Sequence, residues 1–308
     1  MRCFVKKCKL MGTAFELGLL TENEEKAEAL LEFGINEIKR IEAIFTEFSV
    51  DSLTSQINQN AGIKETIVTP EFFSLLQRCL HISKLSQGYF DISVGNLKRL
   101  YQFKNAAFSL PKRNIINKAL KNVGFDKISL NSENSSVLLQ KKGMKISFAA
   151  IGKGYAADVV KKKWQERGVH SAYINASGDL TAFGKNIDAQ PWKIGIANPD
   201  NREEIIFYIP LENAAVATSG DYEQYFLYQG KRYSHNINPK TGLPIKGIKS
   251  VSVFSPAAEF SDALSTAVYA MGREAGLKFI NSLPKAHAII IDEKNQIFFS
   301  ENLKYEAL

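Results

Sequence analysis

The chain has 308 residues, 45% of them apolar, so it can bury a large core in one domain or in two. Lysine and arginine outnumber aspartate and glutamate, 39 − 32 = +7, which favours anionic partners such as a phosphate-bearing ligand, nucleic acid or a membrane surface. The three cysteines form no CxxC pair, and their odd number argues against both a zinc motif and a disulfide scaffold.

The sequence carries no recognisable export signal. No apolar run reaches the roughly 18 residues that a membrane-spanning helix needs. Cys8 follows Lys6 and Lys7 without an apolar run before it, so a lipoprotein signal is not indicated. We therefore expect a cytoplasmic protein without an integral membrane segment, or an exported one if a leader was removed.

The N-terminal segment favours a strand and then two amphipathic helices. A strand is predicted over Lys9–Leu20. Apolar residues recur at helical spacing from Ala27 to Phe48, which predicts a long helix. Thr69 directly before a proline is the signal of a second helix start, and that helix is expected to end at Gly88.

From residue 89 onward, strands and helices alternate irregularly. Residues 89–100 predict a glycine-interrupted loop, and residues 105–117 predict a surface excursion. Helices are predicted after the glycines at 152–154, over 260–271 and up to Leu283. Short strands are predicted within 127–146 and over 172–176, 192–197, 205–211, 214–218, 250–254, 287–292 and 296–300. This order predicts an α+β fold rather than a regular doubly wound sheet.

Residues 217–244 concentrate turn formers and reactive side chains. Tyr222–Tyr228 and Arg232–Ile237 suit two strands joined by a turn at Gly230. Residues 238–242 form a further turn signal, so His235 is predicted at the edge of a hairpin between two loops. A lone histidine is more often structural than catalytic, and from this stretch alone both interpretations stay open.

The residues Gly152, Lys153 and Gly154 partly match the dinucleotide pattern G-x-G-x-x-A. The match is weak, because Asp179 lies 179 − 152 = 27 positions after the first glycine, whereas a ribose-binding acid is expected after about 20. A Rossmann oxidoreductase is therefore disfavoured. Backbone N–H groups at a helix start, together with Lys153, still predict an anion site, with a plain strand-to-helix turn as the alternative.

Asp262 and Thr266 are four residues apart in a predicted helix and therefore face the same side of it. Carboxylate and hydroxyl oxygens are hard ligands that suit Mg²⁺. The alternative is structural: Asp262 would cap the helix, and Thr266 would bond back to a carbonyl.

Together these segments resemble the ApbE family, the flavin transferases that move FMN from FAD onto a protein threonine or serine. The matching segments occur in family order over almost the whole chain: 11–13, 48–52 with Asn58, 88–91 with 94–95, 152–158, 175–179, 218–222, 234–235 with 239–244, and 262–266. The resemblance implies an α+β fold with mixed or antiparallel sheets and packed helices. It implies one domain over residues 1–308, with a smaller lobe around residues 90–145 and an FAD cleft between two lobes.

The resemblance also implies the residues of the site. Mg²⁺ would be held by Asp262, Thr266 and the carbonyl of Ala150. His235 would lie near the pyrophosphate as a base, with Asp262 as the second catalytic residue. The segment from Thr218 to Asp221 would shape the acceptor side. FAD would contact Met11, Phe48, Tyr89, Phe90, Asp91, Ser147, Lys153, Thr218, Ser219, Gly220 and Ile237.

The implied reaction is attack of an acceptor hydroxyl on the FMN phosphorus of FAD, with AMP leaving. Cleavage of a pyrophosphate requires an oxygen-bound Mg²⁺ and a base near the attacking hydroxyl, which agrees with the residue types present. The implied partners are FAD and an acceptor flavoprotein subunit, and no nucleic acid. Two other readings stay open: an FAD pyrophosphatase, in which water replaces the hydroxyl, and a non-catalytic FAD-binding protein.

Three positions depart from the family pattern. Ser147 and Asn238 stand where the family usually has aspartate, and Ser265 stands where it often has a second acid or polar group. The first two changes remove negative charge around the ligand. We expect them to weaken transfer rather than FAD binding.

Overall fold

The computed structural model describes residues 1–101, 110–220, 225–228 and 231–307. In this part of the chain the strands are β1 (Arg2–Leu10), β2 (Thr13–Thr21), β3 (Thr66–Ile67), β4 (Ile128–Asn131), β5 (Ser136–Leu139), β6 (Ala172–Ala176), β7 (Asp179–Phe183), β8 (Trp192–Asn198), β9 (Asn201–Leu211), β10 (Ala214–Gly220), β11 (Tyr225–Tyr228), β12 (Lys231–Ser234), β13 (Ile248–Ser255), β14 (His287–Asp292), β15 (Ile297–Phe299) and β16 (Glu306–Ala307). The helices are α1 (Glu24–Phe45), α2 (Leu53–Gln59), α3 (Pro70–Leu85), α4 (Gly95–Leu100), α5 (Arg113–Leu120), α6 (Gly152–Glu166), α7 (Ala258–Met271) and α8 (Arg273–Asn281).

One large antiparallel sheet organises these elements. Its strand order is β1-β2-β6-β7-β10-β13-β14-β15, and every neighbouring pair in it runs antiparallel. Smaller antiparallel sheets are formed by β3-β5-β4 and by β16-β9-β8, and β11 pairs with β12 as a hairpin. The predicted α+β fold with antiparallel sheets is confirmed.

The helices α1, α6 and α7 cover one face of this sheet and pack side by side. Trp164 of α6 is fully buried there, and its indole N–H donates to the carbonyl of Leu30 in α1 at 2.9 Å. A second apolar cluster, which includes Phe207, Val216 and Phe254, joins the sheet to β8 and β9. Within the described residues, no helix combines the length and apolar character needed to cross a bilayer.

A third, smaller apolar cluster lies around α4 and α5. It consists of Leu97, Tyr101, Ile116, Val123 and Ile237. The cluster therefore fixes both short helices against the loop that follows β12.

The predicted start of α3 is confirmed in detail. Thr69 accepts a hydrogen bond from the N–H of Phe72 at 3.3 Å, and Pro70 occupies the first turn. A proline does not destabilise the helix at this position, because the first N–H groups of a helix have no partner within the helix.

Three sequence-based predictions of local structure are wrong. Residues 9–20 form two strands rather than one, because Met11 and Gly12 adopt positive φ angles of 49° and 76° and so reverse the chain. Residues 89–100 are not a loop but a short 3₁₀ turn followed by α4. Residues 113–117 of the expected surface excursion belong to α5, and four of the five are exposed, so that prediction is not among the three. The third difference is the strand β7, since the sequence predicts no strand over residues 179–183.

The contact between the first turns of α6 and α7 requires a glycine. A Cβ on Gly154 would lie 2.3 Å from the carbonyl oxygen of Ala258. Four residues further on, Asp158 accepts a hydrogen bond from the N–H of Glu259 at 2.8 Å. The residue before α7, Ala257, cannot cap the helix with its own side chain, so α6 supplies the cap to α7.

Replacement of Asp158 by alanine is expected to lower the free energy of unfolding by about 1 kcal/mol, because α7 loses its cap. Asp158→Asn keeps an oxygen acceptor and should lose less. Urea denaturation followed by circular dichroism measures both changes.

Burial raises the pKa of Asp158 to about 6, so the folded chain binds this proton more tightly than the unfolded chain. The stability of the wild type relative to Asp158→Asn should therefore fall as the pH rises from about 4 to about 6. A pH-independent difference would contradict this account.

Candidate active site

A cavity of about 350 Å³ opens between the β1–β2 turn, the end of α1 and the start of α6. Its lining includes Met11, Phe48, Ser147 and Lys153. These four residues come from distant segments of the chain, and the family resemblance implies all four at the FAD site. Phe148 also lines it, and this ring packs edge-on against Phe45 at 4.9 Å between centroids. The volume is in the range of small-molecule sites, and the lining is largely apolar, as such sites require.

Two residues at the rim of the cavity are unusual: Phe48 in its exposure and Met11 in its backbone conformation. Phe48 is 91% exposed, so its large apolar ring has little protein cover. Met11 sits in the left-handed turn, and its N–H donates to the carboxylate of Glu42 at 2.9 Å. The carboxylate therefore stabilises a strained turn that keeps Met11 at the cavity.

A carboxylate lies beside Ser147 although none occupies that position in the sequence. The Ser147 hydroxyl donates to Glu47 Oε1 at 2.7 Å, and Glu47 also lines the cavity. Ser147 itself brings no negative charge, and Glu47, two residues after α1, supplies a carboxylate to the same cavity. Sequence reasoning missed Glu47, and the available signal was its place directly before Phe48.

Lys153 forms an ion pair with Asp179, the first residue of β7. Asp179 is only 2% exposed, and its second oxygen accepts a hydrogen bond from the N–H of Thr218 at 3.2 Å. The carboxylate thus connects the first turn of α6 to the end of β10. Asp179 had been excluded as a ribose ligand, and nothing local in the sequence indicated its pairing with Lys153.

Hydroxyl groups fasten the end of β10 to α7. Ser219 Oγ lies 2.8 Å from Ser265 Oγ and 3.4 Å from Thr266 Oγ1. Thr218 Oγ1 lies 2.8 Å from Ser252 Oγ on β13. Of the predicted segment 218–221, Ser219 thus contacts α7, Thr218 contacts β13, Gly220 is buried, and Asp221 lies outside the described residues.

Asp262 is a buried carboxylate with few partners. It is 4% exposed, and the N–H of Gly154 donates to its Oδ2 at 3.4 Å. Burial raises the pKa of Asp262 to about 7, the ammonium of Lys153 opposes this rise, and the carboxylate of Asp179 adds to it. A cation placed against Asp262 would restore its charged form.

The oxygen atoms around Asp262 suit Mg²⁺. No described residue donates a hydrogen bond to the carbonyl of Ala150, since the N–H of Gly154, four residues later, is directed at Asp262. Thr266 adds a hydroxyl one helical turn after Asp262. Within the described residues, no group of three or more His, Cys, Asp or Glu side chains could hold a metal. One carboxylate with hydroxyl and carbonyl oxygens is a set of hard ligands that suits Mg²⁺, which takes the rest of its shell from water and phosphate oxygens.

His235 lies directly after β12 and is half-buried. Two hydrogen bonds of its neighbours fix the backbone around it. The N–H of Asn236 donates to Ser234 Oγ at 3.1 Å, and the N–H of Ile245 donates to the carbonyl of Asn236 at 3.0 Å. The loop after β12 therefore holds His235 in a defined place, and its role as a base stays a prediction.

The predicted residues 89–91 have structural contacts of their own. Phe90 is 1% exposed, and both carboxylate oxygens of Asp91 accept hydrogen bonds, from Ser93 at 2.6 Å and from the N–H of Phe125 at 2.9 Å. The ring of Tyr89 lies 4.0 Å from the ammonium of Lys240. The Tyr89 contact joins the segment to the loop after β12, whereas Asp91 is bonded to Ser93 and Phe125. Contact of the three residues with FAD stays a prediction.

Ile237 and Asn238 anchor the same loop. Ile237 is buried in the small apolar cluster around α4 and α5. Asn238 Nδ2 donates to the carbonyl of Ala270 near the end of α7 at 3.0 Å, and its Oδ1 accepts from the N–H of Lys240 at 2.9 Å. Asn238 therefore uses both its donor and its acceptor, which an ionised aspartate could not do.

Comparison with known proteins gives a consistent result. The model of the ApbE family matches residues 11–291. A protein of Haemophilus influenzae named FAD:protein FMN transferase is 29% identical over 300 residues, which cover 93% of this chain and 86% of that protein. One of Klebsiella pneumoniae with the same name is 28% identical and covers 100% of this chain and 95% of its own length.

Solved structures agree with this fold. The crystal structure of the ApbE protein from Thermotoga maritima aligns with a TM-score of 0.90 at 31% identity, over 97% of each chain. The apo flavinyl transferase ApbE of Pseudomonas stutzeri aligns with a TM-score of 0.87 at 23% identity, over 97% of this chain and 95% of that one, and this likeness concerns the fold alone.

Replacement of Asp179 by alanine should lower the free energy of unfolding by about 3 kcal/mol, because Lys153 loses this carboxylate and the N–H of Thr218 loses its acceptor. Asp179→Asn keeps an oxygen for Thr218 and should cost less. Asp188→Ala is the matched control, since Asp188 is exposed in a turn and should change stability by less than about 0.5 kcal/mol. Urea denaturation measures all three, and equal stabilities of Asp179→Ala and Asp188→Ala would refute the structural role of Asp179.

Proposed function

The chain belongs to the ApbE family, and from that premise we propose that it is a Mg²⁺-dependent FAD:protein FMN transferase. It moves FMN from FAD onto a threonine or serine hydroxyl of an acceptor flavoprotein and releases AMP. The observation that carries the proposal is that two features lie next to each other. One is an apolar cavity with the exposed ring of Phe48 at its rim. The other is the contact between α6 and α7, which includes the charged residues Lys153 and Asp262.

The cavity suits the flavin half of FAD. An isoalloxazine ring is planar and largely apolar, and the exposed ring of Phe48 offers it a stacking surface. Met11 is flexible and polarizable, so it can pack against a planar ring from the β1–β2 turn. The Glu47 carboxylate beside Ser147 supplies a hydrogen-bond acceptor in the same cavity.

The contact between α6 and α7 suits the pyrophosphate half. Lys153 places an ammonium at the start of α6, where helix N–H groups also favour anions. Asp262, Thr266 and the carbonyl of Ala150 would hold Mg²⁺. When bound, the ion neutralises negative charge on the phosphate oxygens.

The chemistry is a phosphoryl transfer. The acceptor hydroxyl oxygen forms a bond to the FMN phosphorus, the bond from that phosphorus to the bridging oxygen breaks, and its electron pair leaves with AMP. We assign His235 as the base that takes the hydroxyl proton. The hydroxyl cluster of Ser219, Ser265 and Thr266 holds the end of β10 in place beside Asp262.

The transferase activity is tested with FAD, Mg²⁺ and an acceptor domain that carries a threonine target. We expect the acceptor mass to rise by one FMN group and AMP to appear in equal amount, as measured by mass spectrometry and chromatography. Removal of Mg²⁺ by a chelator should abolish both signals, and added Mg²⁺ should restore them. AMP without a labelled acceptor would replace the proposal with FAD hydrolysis. Binding of FAD with neither product would indicate a non-catalytic FAD-binding protein.

Replacement of His235 by alanine should lower kcat roughly 10²–10⁴-fold, because the hydroxyl loses its base. The dissociation constant of FAD should change by less than about twofold, since FAD binding does not need the base. His287→Ala is the matched control, because His287 lies on β14 and its ring contacts the carbonyl of Glu301. Unchanged turnover in His235→Ala, measured in the same assay, would remove His235 from the mechanism.

A further inference from the structure

The wall of the flavin cavity contains a carboxylate that is held in place by the fold. The side chain of Glu47 lines the cavity and is 17% exposed. Its Oε1 accepts the hydroxyl of Ser147 at 2.7 Å, and its backbone carbonyl accepts the hydroxyl of Ser55, in α2, at 3.3 Å. Ser147 is itself fixed, because its N–H donates to the carbonyl of Ile92 at 2.9 Å. These bonds hold the Glu47 carboxylate in one orientation.

The second oxygen of this carboxylate is available to a ligand. Among the described residues, no N–H or O–H group donates a hydrogen bond to Glu47 Oε2. The guanidinium of Arg99 lies 4.0 Å from Oε2, beyond hydrogen-bond distance, and the Arg99 side chain is 55% exposed. Water screens such a pair, so it contributes little. A ligand that brings a donor to Oε2 would therefore gain a hydrogen bond to a charged group.

The position of Glu47 next to Phe48 indicates which part of the flavin it meets. The ring of Phe48 is exposed at the rim and offers the stacking surface for the isoalloxazine ring. A side chain that directly precedes this ring is placed to reach the edge of a stacked flavin. The other carboxylate of the cavity wall, Glu42, accepts the N–H of Met11 and so holds the β1–β2 turn.

The chemistry of that edge selects one atom of the flavin. The edge of an oxidised isoalloxazine ring carries carbonyl oxygens and unprotonated nitrogens, which are acceptors, and its donor is the imide N3–H. A carboxylate is an acceptor only, so the rest of the edge repels it and N3–H attracts it. The ribityl hydroxyls are also donors, but they lead from the ring toward the phosphates and hence, in the proposed arrangement, toward Lys153.

We propose that Glu47 is a flavin-binding residue whose Oε2 accepts a hydrogen bond from N3–H of the isoalloxazine ring. This inference rests on the proposed function and names the group by which the cavity recognises a flavin. Ser147 acts as a positioning residue, because its hydroxyl holds the other oxygen of the same carboxylate. The contact lies on the half of FAD that is transferred, so it holds the ring both before and after AMP leaves.

The test compares FAD with 3-methyl-FAD, in which a methyl group replaces the N3 proton. The wild-type chain should bind 3-methyl-FAD roughly 10–100-fold more weakly than FAD, because the donor is lost and an apolar group faces the carboxylate. Flavin fluorescence without acceptor measures both dissociation constants.

Glu47→Met keeps the length of the side chain and removes its oxygens. The dissociation constant of FAD should rise roughly 10–50-fold in this variant, because N3–H loses its acceptor. 3-Methyl-FAD should bind to Glu47→Met at least as tightly as to wild type, since it makes no hydrogen bond that the change could remove. Glu47→Gln keeps an acceptor oxygen without the charge, so its FAD affinity should lie between those of wild type and Glu47→Met.

Glu65→Met is the matched control. Glu65 also accepts the hydroxyl of a serine, Ser136 of β5, but it is exposed and does not line the cavity. The affinities for FAD and for 3-methyl-FAD should both stay within about twofold of wild type.

Three results would overturn the inference. One is a wild-type chain that binds FAD and 3-methyl-FAD equally well. Another is an FAD affinity that Glu47→Met leaves unchanged. The third is an equal loss for FAD and 3-methyl-FAD in Glu47→Met, which would assign the carboxylate to a ribityl hydroxyl or to a structural role. Each of these leaves the proposed function standing, because wild-type transfer is measured independently, whereas a wild-type chain that binds no FAD would overturn both.

Discussion

The structure of the candidate site depends on the contact between the first turns of α6 and α7. The two helices approach so closely at Gly154 that no side chain fits between them: a Cβ would lie 2.3 Å from a carbonyl oxygen of α7. This contact directs the N–H of Gly154 at Asp262 and leaves the carbonyl of Ala150 without a donor among the described residues. It also lets Asp158 cap α7. The packing of two helices thus exposes the oxygen atoms that a hard cation needs.

Within the described residues, the buried carboxylate of Asp262 has little compensation for its charge. Lys153 and Asp179 form a pair, whereas Asp262 is buried against one long hydrogen bond. Each arrangement costs stability, since charges removed from water need compensation. A bound cation at Asp262 and a phosphate beside Lys153 would both lower that cost. Substrate and metal should therefore stabilise the folded chain as they bind.

The sequence predicts the parts of the site that depend on local pattern. The cap at Thr69, the helix after Gly152 and the shared face of Asp262 and Thr266 follow from spacing over a few residues. The pairs Lys153–Asp179 and Glu47–Ser147 do not, because their members are separated by 26 and 100 residues. No periodicity connects such residues, and their meeting is decided by how helices pack on the sheet. The turn at Met11 and the helix α4 were missed for a different reason: both are too short to show a period.

The departures from the family pattern have physical counterparts in the fold. Ser147 lacks a carboxylate, yet Glu47 places one within 2.7 Å of its hydroxyl. Asn238 lacks one too, but its amide donates to α7 while its oxygen accepts from Lys240, a pair of bonds that needs a neutral amide. The two changes therefore differ in kind. Beside Ser147, the carboxylate of Glu47 lies in the same cavity. At position 238 there is no carboxylate, and the neutral amide attaches the loop to α7. We therefore expect any weakening of transfer to trace to Asn238 rather than to Ser147.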